Sequence, residues 1–316
     1  MVNTEQKSST RSALVSAFVV AVFRGIGQVF FQENAPTGVL FAFGIAISSP
    51  TMAAGAVVGS LVGTAIALAL KFDETEVSAG IYGFNATLVG IATLFFFQPG
   101  PVSIGLLVVG CAVATLVTRL MRRELPFPTY TTPFIVTTWA LYFLGHAMSL
   151  APVEPGAASE AARYADAAAH GVSQVMFQAN LWTGLLFLIG IALSDWRHAS
   201  WVLVASVIGM LVASYHVTPT IRALDVERLV ERAQVEVIAL GLYGYNATLA
   251  AVALFLWRRS FIPPLLGILI SVPIAEFVPL LGLPALTAPF VLATWMVLAF
   301  GWLEGKLFIQ PVRSAS

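Results

Sequence analysis

Long apolar stretches without an acidic or basic side chain dominate the chain. They occupy 34–70, 77–118, 125–153, 171–194, 199–221, 237–257, 261–275 and 277–303. A helix of about 20 apolar residues crosses a bilayer, and polar or proline breaks at 48–50 and 98–101 divide the two longest stretches. The pattern therefore predicts about ten crossings, at 35–49, 52–71, 77–97, 101–120, 130–148, 181–195, 199–215, 237–257, 261–279 and 286–303.

Two further segments do not suit a helix that faces lipid. Residues 12–32 are rich in Gly and Gln and carry Arg24, and 161–180 are similar. Irregular or polar backbone is tolerated at membrane depth only where protein or a pore covers it. We therefore expect both segments to be re-entrant half-helices.

The chain contains an internal repeat. Residues 25–48 match 171–194 at 14 of 24 positions, and 80–88 match 241–249 at 7 of 9. Residues 131–139 match 287–295 at 5 of 9, and we pair the Leu-Pro steps at 125–126 and 283–284 that precede them. Blocks that recur in the same order predict two homologous halves, 1–150 and 170–316, joined by a linker at 151–169.

The composition identifies the class of protein. Hydrophobic residues make up 58% of the chain and charged residues 10%, against about 45–50% and 25% in soluble domains. This predicts an all-α integral membrane protein in a lipid bilayer. A net charge of zero leaves no electrostatic basis for binding nucleic acid. The single cysteine, Cys111, excludes a disulfide framework within the chain, and no cofactor or metal site is predicted.

Basic residues predict the orientation of the chain. They collect at 119–123, 197 and 258–259, and each of these loops is basic in one half only. Cytoplasmic loops are enriched in Lys and Arg, so the pattern predicts inverted halves with five crossings each. Both termini are then cytoplasmic and the linker is external. The segment 216–236 is predicted to be external although it carries arginines. It argues only weakly against this orientation, because it carries acidic residues as well.

Ionisable residues are scarce inside the predicted spans. The nearest to a mid-span carboxylate is Glu276, which lies at a span end. Ion-coupled transporters normally carry ionisable residues within the bilayer. Their scarcity favours a passive path for a neutral solute.

Polar residues recur in pairs at equivalent positions of the repeat. For the pair Gln28 and Gln174 we favour a pore role over helix packing. Thr131 and Thr287 could equally cap their helices or meet near the two-fold axis. For the remaining pairs we favour a structural role. Asn85 and Asn246 would bond to neighbouring backbone, and core packing is expected for two pairs: Phe84 and Tyr245, and Leu88 and Leu249. Aromatic walls with a few oxygens would suit a flat neutral solute with several N–H donors.

Taken together, the blocks GxxQVxFQxNxxTG, GxYGxNATL and LP…TxPF resemble the urea transporter family, from about residue 24 to 303. The resemblance implies two inverted halves, each with five transmembrane helices and one re-entrant pore helix. It implies a bacterial inner-membrane homotrimer with one pore per subunit. Its function would be channel-like facilitated diffusion of urea down its concentration gradient.

The resemblance also implies roles for individual residues. Urea would pass between aromatic rings beside a row of oxygens, with Gln28 and Gln174 as polar contacts and Thr131 and Thr287 at the central constriction. The walls of the two ends would be Phe31, Phe84 and Leu88 in the first half, and Val175, Phe177, Tyr245 and Leu249 in the second. Tyr245 departs from the phenylalanine of the first half and makes the two ends unequal.

Other functions remain open at the level of sequence. Within transport, the chain could conduct short amides, ammonia or water, or couple a small solute to an ion gradient. A membrane enzyme acting on lipid would need a nucleophile and base or a metal cluster, and the sequence offers no such constellation.

Overall fold

The computed structural model describes residues 2–153, 164–223 and 240–308, and these residues are almost entirely helical. The first half contains α1 (Val2–Gly27), α2 (Ala35–Ser48), α3 (Pro50–Ala69), α4 (Glu74–Ser78), α5 (Phe84–Phe96), α6 (Pro101–Glu124) and α7 (Thr132–Ala147). The second contains α8 (Tyr164–Ser173), α9 (Leu181–Ser194), α10 (Trp196–Ala223), α11 (Gly244–Trp257), α12 (Ile262–Phe277) and α13 (Ala288–Phe308). The predicted all-α class is confirmed.

Polar caps and prolines set the helix boundaries. The Asn34 side chain accepts a hydrogen bond from the Thr37 N–H at 3.1 Å, and Asn180 accepts one from Thr183 at the same distance. Ser49 ends α2 in an extended conformation, and its hydroxyl caps α3, whose first residue is a proline. Side-chain caps and a proline in the first turn are the usual helix start signals. The Ser-Ser-Pro break thus separates two helices, as predicted.

Several helices are long and apolar enough to cross a membrane. The segments that meet this condition are Ser12–Phe30, Pro50–Ala69, Pro101–Glu124, Ile262–Leu281 and Ala288–Lys306. Asp166–Met176 and Leu181–Ser194 meet it as a pair bent by 73°. Shorter apolar helices, including Ala35–Ser48 and Phe84–Phe96, lie between them. The described chain is therefore a multi-pass membrane protein.

The first helix is longer than the half-helix predicted over 12–32. It begins at Val2, and Ser12–Phe30 alone has the length of a span. The extra length lies at its N-terminal side, where the mostly polar residues 2–11 continue the helix. Arg24 lies in the last turn, where its guanidinium donates to the Ser78 carbonyl at 2.9 Å and lies 3.7 Å from Glu33.

The C-terminal end of α1 nevertheless lies at mid-depth of the neighbouring span. Gly25 lies against Ser60, which is the middle of α3. In the second half, Gly171 lies against Ser206 in the same way. Each helix then tightens into a 3-10 turn, Gln28–Phe30 or Gln174–Met176. The chain therefore begins to reverse beside the middle of a neighbouring helix, with Val29 and Phe30 buried on one turn and Val175 and Met176 on the other.

Helices α5 and α11 form the centre of each half. Every side chain from Asn85 to Leu94 is buried, and so is every one from Asn246 to Leu254. Helix α5 packs most extensively on α3, where Gly55 faces Gly90 backbone to backbone. Glycines permit this closeness because they have no Cβ.

The two halves contact each other reciprocally. The Thr37 hydroxyl donates to the Gly190 carbonyl at 2.7 Å, and Thr183 donates to Gly44 at the same distance. These residues exchange places under the repeat alignment. Reciprocal contacts of this kind are characteristic of elements related by two-fold symmetry.

A second reciprocal pair corrects one detail of the repeat. The Trp139 indole donates to the Pro284 carbonyl at 2.9 Å, and Trp295 donates to Pro128 at 2.9 Å. Pro128, and not Pro126, is therefore the counterpart of Pro284. The predicted pairing of the Leu-Pro step at 125–126 with that at 283–284 is therefore wrong. The first loop has prolines at both 126 and 128, so the Leu-Pro sequence alone selected the wrong one.

Some predictions fall on residues that the structure does not describe. Within the predicted linker at 151–169, positions 154–163 lie outside the described ranges. Positions 224–239 also lie outside them, and these include most of the segment 216–236 and the first residues of the span predicted at 237–257.

Candidate solute passage

Two threonine hydroxyls meet where the halves join. Thr131 Oγ1 and Thr287 Oγ1 are 2.7 Å apart, a hydrogen bond in which either atom can donate. Both residues are 2% exposed and lie immediately before α7 and α13. The tertiary structure thus brings together two residues that the sequence could pair only by alignment.

Strained turns present these threonines. The residues before them, Tyr130 and Leu286, have positive φ values of 47° and 46°, which non-glycine residues rarely adopt. Such strain persists only where the surroundings hold it in place.

Two asparagines hold the turns. Asn85 Oδ1 accepts from the Phe134 N–H at 3.2 Å, and Asn246 Oδ1 accepts from Phe290 at 3.0 Å. Their amide nitrogens each donate to the carbonyl of the strained residue at 3.4 Å. Both asparagines are fully buried, so their role is to connect α5 and α11 to the central turns.

The two glutamines lie on the 3-10 turns. Gln28 donates its amide N–H to the Ala79 carbonyl at 2.9 Å, so its Oε1 is the atom that can accept from a solute. Gln174 lines a cavity. The turns end at Phe31 and Phe177, which share the left-handed conformation φ 61°, ψ 28°.

Aromatic rings surround both of these phenylalanines. Phe31 makes edge contacts with Tyr130 and Phe290, at centroid distances of 6.0 and 6.1 Å. Phe177 contacts Phe134 edge-on at 6.3 Å, the equivalent of the contact with Phe290. It also lies 4.9 Å from Phe95. Both ends of the central threonine pair therefore have aromatic walls.

A cavity of about 150 Å³ lies on the second-half side of the threonines. It brings together five of the predicted site residues: Gln174, Val175, Phe177, Tyr245 and Thr287. It is also lined by Phe95, Phe96, Leu242, Pro284 and Leu286. Sequence reasoning missed these five. Pro284 and Leu286 flank the Thr287 motif and could have been inferred from it, whereas Phe95 and Phe96 have no aromatic pair at the equivalent positions 256–257, which are Leu and Trp.

The remaining predicted residues belong to the packed surroundings. Leu88 and Leu249 are fully buried within the hydrophobic core, and Phe84 packs against it. None of the three is among the residues that line the cavity beside Thr287.

The fold and the site define an α-helical multi-pass membrane protein with an aromatic-walled cavity beside two paired threonines, and the described lining of that cavity carries no charged side chain. Comparison with known proteins identifies the family. The family model described as Urea transporter matches residues 19–301. The chain therefore belongs to the urea transporter family.

Curated relatives agree with this assignment. The chain is 27% identical to Urea transporter 1 of Ovis aries, over 95% of this chain and 81% of that protein. It is 26% identical to Urea transporter 1 of Mus musculus, over 96% of this chain and 82% of that protein. Membership of a transporter family sets aside the membrane-enzyme alternative.

Proposed function

We propose that this protein conducts urea by facilitated diffusion, down its concentration gradient, through the passage at Thr131 and Thr287. The observation that carries the proposal is the cavity beside the paired threonines, whose described lining contains no charged side chain. Family membership supports the same solute.

The chemistry of urea suits this lining. Urea is planar and uncharged, with four N–H donors and one carbonyl acceptor. Threonine and glutamine oxygens can accept its N–H groups, and the rings of Phe177 and Tyr245 can replace water at its flat faces. An ion would lose far more hydration energy in the same lining. The passage should therefore exclude ions.

In this proposal the predicted residues have distinct positions along the path. Gln28, Phe31, Phe84 and Leu88 form the first-half end, and Thr131 and Thr287 form the constriction. Gln174, Val175, Phe177, Tyr245 and Leu249 form the second-half end. Because both threonines come from one chain, each subunit of a homotrimer would carry its own passage.

We also propose inverted halves, with both termini in the cytoplasm of a cell whose inner membrane holds the protein. The reciprocal hydrogen bonds support inversion. Residues 131 and 287 are adjacent, and Trp139 reaches back to Pro284. Helix α7 therefore runs opposite in direction to the segment that leads into α13.

Cysteine labelling tests this topology. The single native cysteine, Cys111, is fully buried and gives a low background. Cysteines at the exposed positions Glu124 and Arg259 should react with an impermeant maleimide from the cytoplasmic side only, and one at Val153 from the outside only. Glu124 and Val153 flank α7, so labelling of both from one side would refute the proposed crossing.

Flux under imposed gradients tests the passive mechanism. No site residue named above titrates near neutral pH, so urea should equilibrate without accumulating, at a rate that sodium, membrane potential and pH 6–8 change little. The measurement is urea uptake and efflux by light scattering in proteoliposomes, with sodium and proton gradients imposed or collapsed. Accumulation above equilibrium under either gradient would instead establish an ion-coupled transporter.

The ion pair between Glu76 and Arg122, at the C-terminal end of α6, should stay intact over this pH range. Partial burial raises the pKa of the Glu76 carboxyl, but hydrogen bonds from Tyr82 and Arg122 outweigh burial and leave that pKa below its ordinary value. A lowered pKa means that the stabilisation is present at neutral pH and is lost only as the pH falls through the folded-state pKa. Glu76 therefore remains ionised at pH 6–8.

A further inference from the structure

The Tyr245 hydroxyl is hydrogen-bonded to a backbone carbonyl, that of Leu286. It donates to this carbonyl at 2.7 Å, and both residues line the cavity. The same carbonyl accepts from the Asn246 amide at 3.4 Å. A carbonyl oxygen has two lone pairs, so these two donors leave Leu286 little capacity to accept from a solute.

The first half is built differently at the equivalent position. There the Tyr130 carbonyl accepts from the Asn85 amide at 3.4 Å, just as Leu286 accepts from Asn246. Phe84 stands in the place of Tyr245 and has no hydroxyl to donate. Tyr130 and Leu286 have similar positive φ values. The Leu286 carbonyl accepts hydrogen bonds from both Tyr245 and Asn246. Of the equivalent first-half residues, Phe84 and Asn85, only Asn85 donates to the Tyr130 carbonyl.

The hydroxyl also brings an acceptor of its own. When a phenol donates its proton to a carbonyl, its oxygen keeps two lone pairs, and donation makes that oxygen a better acceptor. The acceptor for a solute N–H is thereby moved from the Leu286 carbonyl to the Tyr245 oxygen, 2.7 Å away.

We propose that Tyr245 is a specificity-determining residue of the second-half end of the passage, selecting solutes that present an unsubstituted N–H to its phenol oxygen. This inference rests on the proposed urea function. A methyl group on nitrogen removes one N–H and adds volume, so N-methylurea should meet a higher barrier here than urea.

The test compares urea and N-methylurea permeability in proteoliposomes. Tyr245→Phe restores the residue of the first half and moves the acceptor for a solute N–H from the phenol oxygen back to the Leu286 carbonyl, so that a solute N–H at the position of the phenol oxygen loses its bond. We expect it to raise the ratio of N-methylurea to urea permeability by about threefold or more. The reciprocal variant Phe84→Tyr adds a hydroxyl beside the Tyr130 carbonyl, and we expect it to lower the ratio.

The outcomes separate this inference from the function on which it rests. A wild-type protein that does not conduct urea would refute the function. A conducting wild type whose ratio is unchanged in Tyr245→Phe, or whose two permeabilities fall by the same factor, would refute the specificity role. If Tyr245→Phe is not recovered as folded protein, Phe84→Tyr decides alone: a lower ratio supports the proposal and an unchanged ratio overturns it.

Discussion

Removing both hydroxyls at the centre of the passage, in Thr131→Val/Thr287→Val, should slow urea flux about tenfold or more. Valine keeps the shape of threonine but cannot accept a solute N–H. Each lost hydrogen bond costs about 0.5–1.5 kcal/mol, and more where a polar group is left bare. When that cost falls on a barrier, about 1.4 kcal/mol corresponds to a tenfold slower rate.

The single variants should each slow flux about threefold to tenfold. Their effects should not add, because the two hydroxyls are bonded to each other at 2.7 Å and neighbouring residues couple. The measurement is stopped-flow light scattering of proteoliposomes, with flux normalised to the amount of folded protein.

Thr64→Val is the matched control for this pair. Thr64 is buried on α3, and its hydroxyl has no hydrogen-bond partner among the residues the structure describes. Its replacement should leave urea flux unchanged and should not destabilise the protein. If the double valine variant at the centre conducts like Thr64→Val, the threonines do not form the constriction.

Gly90→Ala should destabilise the folded protein enough to reduce its recovery from the membrane. A Cβ on Gly90 would enter the van der Waals radius of the Gly55 carbonyl oxygen, and one on Gly55 would lie 2.6 Å from the Gly90 oxygen. The obstacle is backbone, so α3 and α5 would have to separate. Overpacking of this kind costs about 1–3 kcal/mol or more.

The displacement should also affect transport, because α5 carries Asn85, which holds the turn before Thr131. Gly105→Ala is the matched control: it lies within α6, where an added Cβ meets nothing within 4 Å. It should be neutral or slightly stabilising, since alanine favours helix over glycine by about 1 kcal/mol. The measurement is the fraction of monodisperse protein left after heating in detergent. Equal stability of the two variants would contradict close packing at Gly90.

The sequence by itself determined the class of the protein and much of its plan. Apolar run length is a local property, and it located most helices. The Ser-Ser-Pro break at 48–50 located a boundary because capping and proline geometry are also local. The internal repeat made Gln28 and Gln174, and Thr131 and Thr287, recognisable as pairs, because they lie at matching positions of its blocks.

Only the tertiary structure decided which of these residues meet. Thr131 and Thr287 are 156 residues apart, and their contact depends on how buried helices pack across the junction of the halves. Phe95 lines the cavity although its repeat equivalent is Leu256, and Phe96 does so although its equivalent is Trp257. The sequence shows that Tyr245 stands where the first half has Phe84. Only the structure shows that its hydroxyl donates to the Leu286 carbonyl, because the effect of a hydroxyl depends on the acceptor that the fold places beside it.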